Sequence, residues 1–360
     1  MTTKPAQENL LFIDKYRPKS FGDIKFNQDV AKKFIACAKT NDIPHIVIKG
    51  PKGSGKKTFS NLYVMSKYGK TELKVRQQQL EIKHASKSIE MQFLYSHYHY
   101  HIDPSAYGVY DRLIIQGFIK DILQAKPIND NMNYHLIVIE NADKLTQEAQ
   151  QSLRRTLEKY MNNCRFIFII SQESTLIEPL MSRCVQLRLS APSYVEIEKI
   201  LSDICISEEI NALPSQLKQI AIYSKRNINS AIDLLQLMSI CYSNELSGTI
   251  DIDFRTIVEI DQYIDDVTSM LIDNCKKNPK VILSIRLKLY DLLVHCVEPI
   301  DIMKKIFRQI FDISLSDKDK HQLIQILSKY ENTLKQGSKP IYHLEGFIVS
   351  IMNLLSNSNT

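Results

Sequence analysis

The stretch His45-Ile46-Val47-Ile48-Lys49-Gly50-Pro51-Lys52-Gly53-Ser54-Gly55-Lys56-Lys57-Thr58 constrains the fold more than any other part of the chain. Its apolar run, ending at Ile48, reads as a buried strand at 45–49. A glycine-rich turn follows, and then Phe59, Leu62, Val64 and Met65 mark the start of an amphipathic helix. Strand, loop and helix in that order are what a phosphate-binding loop requires. Glycines let the backbone curl so that successive N–H groups line a nest for an anion, and the helix start adds its partial positive charge. Lys56 is placed to reach the outer phosphates. The motif also has a defect. The position after Lys56, where a hydroxyl should hold Mg²⁺, is Lys57. Thr58 comes one residue later, turned about 100° around the helix, and an ammonium at position 57 repels a metal. The loop therefore reads as able to bind nucleotide and badly equipped to hydrolyse it.

At 360 residues, 44% hydrophobic and 24% charged, the chain has the length for two or three domains and the composition of a soluble globular protein. No apolar run reaches about eighteen residues, so no membrane-spanning helix is expected. The first residues lack the apolar core of a secretory signal. The seven cysteines are scattered and never spaced C-x-x-C, which points to reduced thiols of an intracellular protein and to no zinc site. A net charge of +6 suits a polyanionic partner without requiring one.

Residues 1–10 read as a loose tail. In Asp14-Lys15-Tyr16-Arg17-Pro18, an aromatic and a guanidinium ahead of the loop could stack on or edge a purine base, although such a turn is also common on surfaces. Residues 28–40 read as a helix. Beyond the loop helix, Leu73–Lys83 and Ser96–Ile102 alternate polar and apolar residues and read as strands. Alternation sets His97, His99 and His101 on one face, too spread for a compact metal site, and no carboxylate or cysteine completes one. A half-buried aromatic strand is expected instead. Residues 111–124 make a second amphipathic helix, and Lys126 to Asn133 a polar loop.

The next apolar strand, Tyr134 to Ile139, runs into Glu140-Asn141-Ala142-Asp143. A strand ending in acid downstream of a phosphate loop is the Walker B arrangement, in which the first acid helps hold Mg²⁺ and a second polarises the attacking water. Here the first is Glu140, one methylene longer than the usual Asp, so weak Mg²⁺ binding at Glu140 is the most the site offers. The second is Asn141, an amide that cannot act as a base. A helix at 145–161 places Leu145, Ala149, Leu153 and Leu157 in a core stripe. Arg155 and Lys159 lie one turn apart on another face, beside Gln151 and Ser152 and with Arg154 adjacent. That ridge could follow a phosphate backbone, or it is a solvated face with Arg154 paired to Glu158. A strand at 166–170 ends in Ser171, a turn leads to Ser182-Arg183-Cys184, and a strand at 185–189 follows. From 193 onward only helices are expected, at 193–205, 213–224 and 228–243 and then in a block at 252–356, with a polar loop near Asn278-Pro279 and a helix stop at Gly337. The expected fold class is α/β: a parallel sheet flanked by helices, followed by two all-helical appendages.

These motifs, with Leu153-Arg154-Arg155-Thr156 and Glu158-Lys159-Tyr160, resemble the AAA+ clamp-loader small subunits, specifically the replication factor C subunit numbered three or five in different schemes. The doubled lysine of the loop and the segment from Gly337 to Glu345 carry that last step, and the likeness spans roughly residues 9–355. The resemblance implies an AAA+ module at 1–190, a lid at 191–247 and a collar at 248–360. It implies a heteropentamer that opens a sliding clamp and loads it on primer–template DNA, with ATP or ADP bound and Mg²⁺ doubtful. Arg183 then acts as an arginine finger toward a neighbour's ATP, Arg154, Arg155 and Lys159 follow DNA, and helix 111–124 forms part of the clamp-facing surface. Ser171 departs from an asparagine that senses the γ-phosphate in active paralogues, and Asn229 stands where a lid arginine is expected. With Lys57 and Asn141, that makes four weakened positions. Two readings of other classes stand beside this one: a self-sufficient AAA+ remodelling motor, and an architectural collar protein that binds no nucleotide. The implied location is the nucleus for a cellular protein, or a cytoplasmic factory for one encoded by a large DNA virus.

Overall fold

The computed structural model describes residues 10–40, 43–70, 73–84, 87–124, 134–161, 163–171, 176–241, 259–274, 281–312, 316–337 and 339–358. The tail at 1–9, the loop at 126–133 and the loop near Asn278-Pro279 lie outside the described residues. The chain divides into two compact units, 1–250 and 251–360.

The first unit is built on a seven-stranded sheet: β1 (His45–Lys49), β2 (Arg76–His84), β3 (Lys87–Tyr95), β4 (Tyr100–Ile102), β5 (His135–Ile139), β6 (Cys164–Ile170) and β7 (Cys184–Arg188). Their order across the sheet is β2-β3-β4-β5-β6-β1-β7. From β4 to β7 every pairing is parallel, whereas β3 runs antiparallel to both its neighbours. The central strands β1, β5 and β6 are continuous apolar runs because both faces are covered. Their side chains alternate between two cores. Val47, Ile137, Ile139, Phe166, Phe168 and Ile170 face one side, where α4 (Asp111–Gln124) and α5 (Gln147–Lys159) pack. Ile46, Ile48, Leu136, Val138, Ile167 and Ile169 face the other, with α2 (Gln28–Lys39) and α3 (Lys56–Tyr68).

Three helices complete this unit and pack on one another: α7 (Tyr194–Ser207), α8 (Pro214–Tyr223) and α9 (Ile228–Cys241). The short α1 (Phe12–Lys15) lies on α9, where the Phe12 N–H donates to Gln236 Oε1 at 3.0 Å. The second unit consists, among the described residues, of α10 (Glu259–Asn274), α11 (Val281–Val294), α12 (Pro299–Phe311), α13 (Asp317–Gln336) and α14 (Pro340–Ser358) around one apolar core. Gly337 ends α13 as expected. Gly346 lets α14 approach Tyr330 so closely that a Cβ there would lie 2.7 Å from the ring. No helix among the described residues is long and apolar enough to cross a membrane.

Several expectations need correction. The strand expected at 96–102 is only Tyr100–Ile102. Ser96 to His99 form a turn closed by the Ser96 N–H on the His99 carbonyl at 2.9 Å. His97 therefore leaves the face of the other two: it is exposed, whereas His99 is buried with Nδ1 2.7 Å from Ser96 Oγ and its ring centroid 6.4 Å from that of His101. Burial pushes the His99 imidazole down to about 4. The helix expected at 145–161 starts later, because a 3-10 turn occupies Ala142–Lys144 and Thr146 caps α5 through Ala149 N–H. Asp111 fixes that corner, accepting from Thr146 N and Oγ1 at 2.7 and 2.9 Å. Ser152 is buried and bonded by Gln116, so it is not part of the exposed ridge. In α4, Ile114, Ile115, Phe118, Ile119 and Ile122 are all core residues, which leaves Arg112 and Gln116 outward. The apolar surplus that suggested a clamp-facing surface is core packing.

Candidate nucleotide site

The loop at 50–55 curls at the C-terminal end of β1. Gly53 and Gly55 take φ of +77° and +79°, the left-handed region where other residues are strained. Gly50 and Gly53 also make room for specific neighbours. A Cβ on Gly50 would lie 2.5 Å from the Leu189 carbonyl, and one on Gly53 would lie 1.9 Å from Asn227 Oδ1. Asn227 accepts from the Asn229 and Ser230 N–H groups at 3.1 and 3.4 Å, so the residue that caps α9 also touches the loop. Asn229 itself is exposed. Arg226, whose φ is +66°, donates to the Pro192 and Ala191 carbonyls and holds the connection between sheet and helices. Ser54 is buried and bonded to the Pro51 carbonyl. Lys56 donates to the Gly50 and Pro51 carbonyls at 2.6 and 2.8 Å. Burial lowers its ammonium, with Asp143 opposing and Lys52 adding to the depression. These features fit a phosphate group: open N–H groups at a helix start, no Cβ in the way, and one lysine able to turn outward.

In the other half of the site, the positions that would hold a metal are paired with protein groups. Lys57 Nζ lies 2.5 Å from Glu140 Oε2, and His101 Nε2 bonds the other oxygen, Oε1. Burial pushes the Glu140 carboxyl up, but His101 and Lys57 outweigh it and hold the group below the usual range. Asn141, with φ of +48°, donates from Nδ2 to Asp103 Oδ2 at 2.6 Å. Asp103 in turn accepts from Ser105 Oγ and N–H. Mg²⁺ demands oxygen ligands in near-octahedral geometry. Here the hydroxyl position is an ammonium and both oxygens of the acid are engaged, so the donor set does not fit that ion. Thr58 is half-buried in the first turn of α3, and Ser171 is half-buried just beyond β6. No cluster of three or more His, Cys, Asp or Glu able to hold a metal occurs among the described residues.

Tyr16 and Arg17 sit in the strap that follows α1. The Tyr16 hydroxyl donates to Glu208 Oε1 at 2.5 Å, Lys15 pairs with the same oxygen at 2.6 Å, and Arg17 pairs with Asp14 at 3.2 Å. Pro18 is half-buried. The strap is thus fastened to α7 and α9. Arg183 follows the short α6 (Glu178–Met181) and donates to the Pro179 carbonyl and to Glu158 Oε1, both at 2.7 Å. Arg154 pairs with the same carboxylate at 3.3 Å. Arg155 and Lys159 are exposed on α5.

Several site residues were not found in the sequence. His101 appeared only in a histidine run, with nothing to link it to Glu140. Phe26 lies 3.6 Å from where a Gly55 Cβ would stand. Asn27 exchanges side-chain hydrogen bonds with Ser190 at the end of the sheet. No local signal marks these, since each depends on a strand pairing or a chain return.

A mostly parallel sheet bearing a phosphate loop on one strand and an acid at the end of the strand two places away, with three further helices, defines an AAA+ nucleotide-binding protein. Solved structures agree with that fold: the Thermotoga maritima RuvB Holliday junction branch migration motor superposes with a TM-score of 0.52 at 15% identity, covering 84% of this chain and 93% of that one. Residues 261–359 match the model for the C-terminal domain of replication factor C subunit 3, and residues 26–193 match that for the DNA polymerase III delta subunit. Along nearly the whole length, the chain is 35% identical to the probable replication factor C subunit 3 of Dictyostelium discoideum (97% of this chain, 100% of that protein). It is 35% identical to the human replication factor C subunit 3 and 34% identical to subunit 5 of Schizosaccharomyces pombe, with 96% of each chain covered in both cases. The chain belongs to the replication factor C subunit family, in the branch numbered subunit 3 or 5.

Proposed function

We propose that the chain is a clamp-loader subunit of DNA replication that binds ATP or ADP in its own loop without turning it over. It works within a multi-subunit loader, in the nucleus of a cellular host, toward a sliding clamp and primer–template DNA. The module at 1–190, the lid at 191–247 and the collar at 248–360 are the working parts in this reading. The observation that carries it is the 2.5 Å pair between Lys57 and Glu140. It engages the acid that metal-dependent hydrolysis uses, while Asn141 supplies no base. The same pair argues against the self-sufficient motor, and the open glycine loop argues against a collar protein that binds no nucleotide.

Hydrolysis by the isolated chain, measured on the sample used for nucleotide titration, tests this reading. Binding with negligible turnover is the expected result, and robust turnover removes it. Arg183 is proposed as a finger toward the neighbouring subunit's nucleotide. For DNA, Arg155 is the side chain best placed on the α5 ridge, since Arg154 is paired to Glu158 and no pairing of Arg155 occurs among the described residues. Lys159 stands one turn on, 5.1 Å from the Tyr160 ring centroid. Arg155→Ala should weaken DNA binding equally across sequences and reduce the slope of log affinity against log salt by about 0.9, the loss of one phosphate contact. An unchanged slope would return the ridge to a solvated face.

A further inference from the structure

We propose that Lys57 is a built-in cation that stands in for magnesium, so that this loop takes a nucleotide in its metal-free form. The inference rests on the loop being a nucleotide site. In a metal-dependent loop, the residue after the invariant lysine and the first strand-end acid hold the ion between them. In this chain those two positions, Lys57 and Glu140, contact each other directly at 2.5 Å. An ammonium therefore lies where the two metal ligands would meet.

The pair is built to stay so. Glu140 is 5% exposed and ionised, with one oxygen on Lys57 and the other on His101. A metal entering here has to displace both partners and then sit beside the displaced ammonium, a like-charge contact in a partly buried site. The Lys57 side chain is 66% exposed, so its head forms the solvent side of a pair whose acid is buried beneath. From there it can offer positive charge to a phosphate with no change of partner at Glu140. Lys56 and Lys57 together then supply the charge that a lysine and a metal supply elsewhere.

The test is a titration of the purified full chain with a fluorescent N-methylanthraniloyl ADP, in EDTA and in millimolar magnesium chloride. The expected result is affinity in EDTA at least equal to that in magnesium. Lys57→Thr, an exposed substitution that restores the hydroxyl, should weaken binding in EDTA by about tenfold and regain at least about that factor on adding magnesium. Wild-type binding that is tenfold or more weaker in EDTA overturns the proposal and leaves the loop a nucleotide site. A Lys57→Thr variant indistinguishable from wild type in both buffers also overturns it. Failure to bind in either buffer would remove the nucleotide site itself, and this inference with it. The wild-type comparison needs no variant, so the result does not depend on how Lys57→Thr folds.

Discussion

Single-turnover hydrolysis at the neighbouring subunit's site should fall about 10³-fold when Arg183 is replaced by alanine, while the complex still assembles. That is the scale on which arginine fingers act in phosphoryl transfer. Arg183 sits just before β7, its guanidinium split between the Pro179 carbonyl and Glu158. Both contacts lie at the surface, and the Arg183 side chain is 37% exposed. A surface pair of this kind contributes about 0–1 kcal/mol. Releasing it toward a phosphate is therefore inexpensive, and deleting it should leave the fold intact. Arg183→Lys should not restore the rate, because a single ammonium lacks the planar fork that spans two oxygens. Glu158→Gln frees the guanidinium and should leave turnover unchanged or raise it. Equal turnover in wild type and Arg183→Ala, with assembly verified by gel filtration, would end the finger reading.

Phosphate loop, strand-end acid and the doubled lysine were legible because each is a local pattern read by local chemistry. The continuous apolar runs of β1, β5 and β6 announced strands buried on both faces, and the structure places them at the centre of the sheet. The hairpin of β2 and β3 was only half seen. Met91 and Phe93 alternate toward the core as an amphipathic strand should, but the sequence between the strands, Ala85-Ser86, has no glycine or proline to signal a hairpin. The histidine run misled for a different reason. A period-two reading assumes that the chain stays extended, whereas the Ser96 side chain accepts from the Tyr98 and His99 N–H groups and folds it into a turn. That turn sends His101 back along β4 to meet Glu140 from a position 39 residues away. Lys57 could be recognised as a defect from sequence. The histidine that joins it on Glu140 could not, because parallel pairing of β4 with β5 is what brings His101 beside that acid.

Phe118→Ala in α4 should cost the first unit about 3–5 kcal/mol, the range for emptying a buried aromatic site. Phe118 is 1% exposed. Its ring meets Phe93 edge-on with centroids 4.9 Å apart, and Tyr100 at 6.0 Å and 85°. It is thus the side chain through which α4 grips both β3 and β4. For a unit of this size each kcal/mol moves the midpoint by roughly 2–4 °C, so a drop on the order of 10 °C is expected. The second unit has its own apolar core, and its transition should not move. Phe118→Leu keeps most of the volume and should lose less than about 1.5 kcal/mol. The same substitution reaches the candidate site, since Tyr100 directly precedes the histidine that holds Glu140. Below its lowered midpoint, Phe118→Ala should therefore also bind nucleotide more weakly than Phe118→Leu. A midpoint within about 3 °C of wild type would mean that α4 is seated by other contacts, and that the β4 end of the site does not depend on this ring.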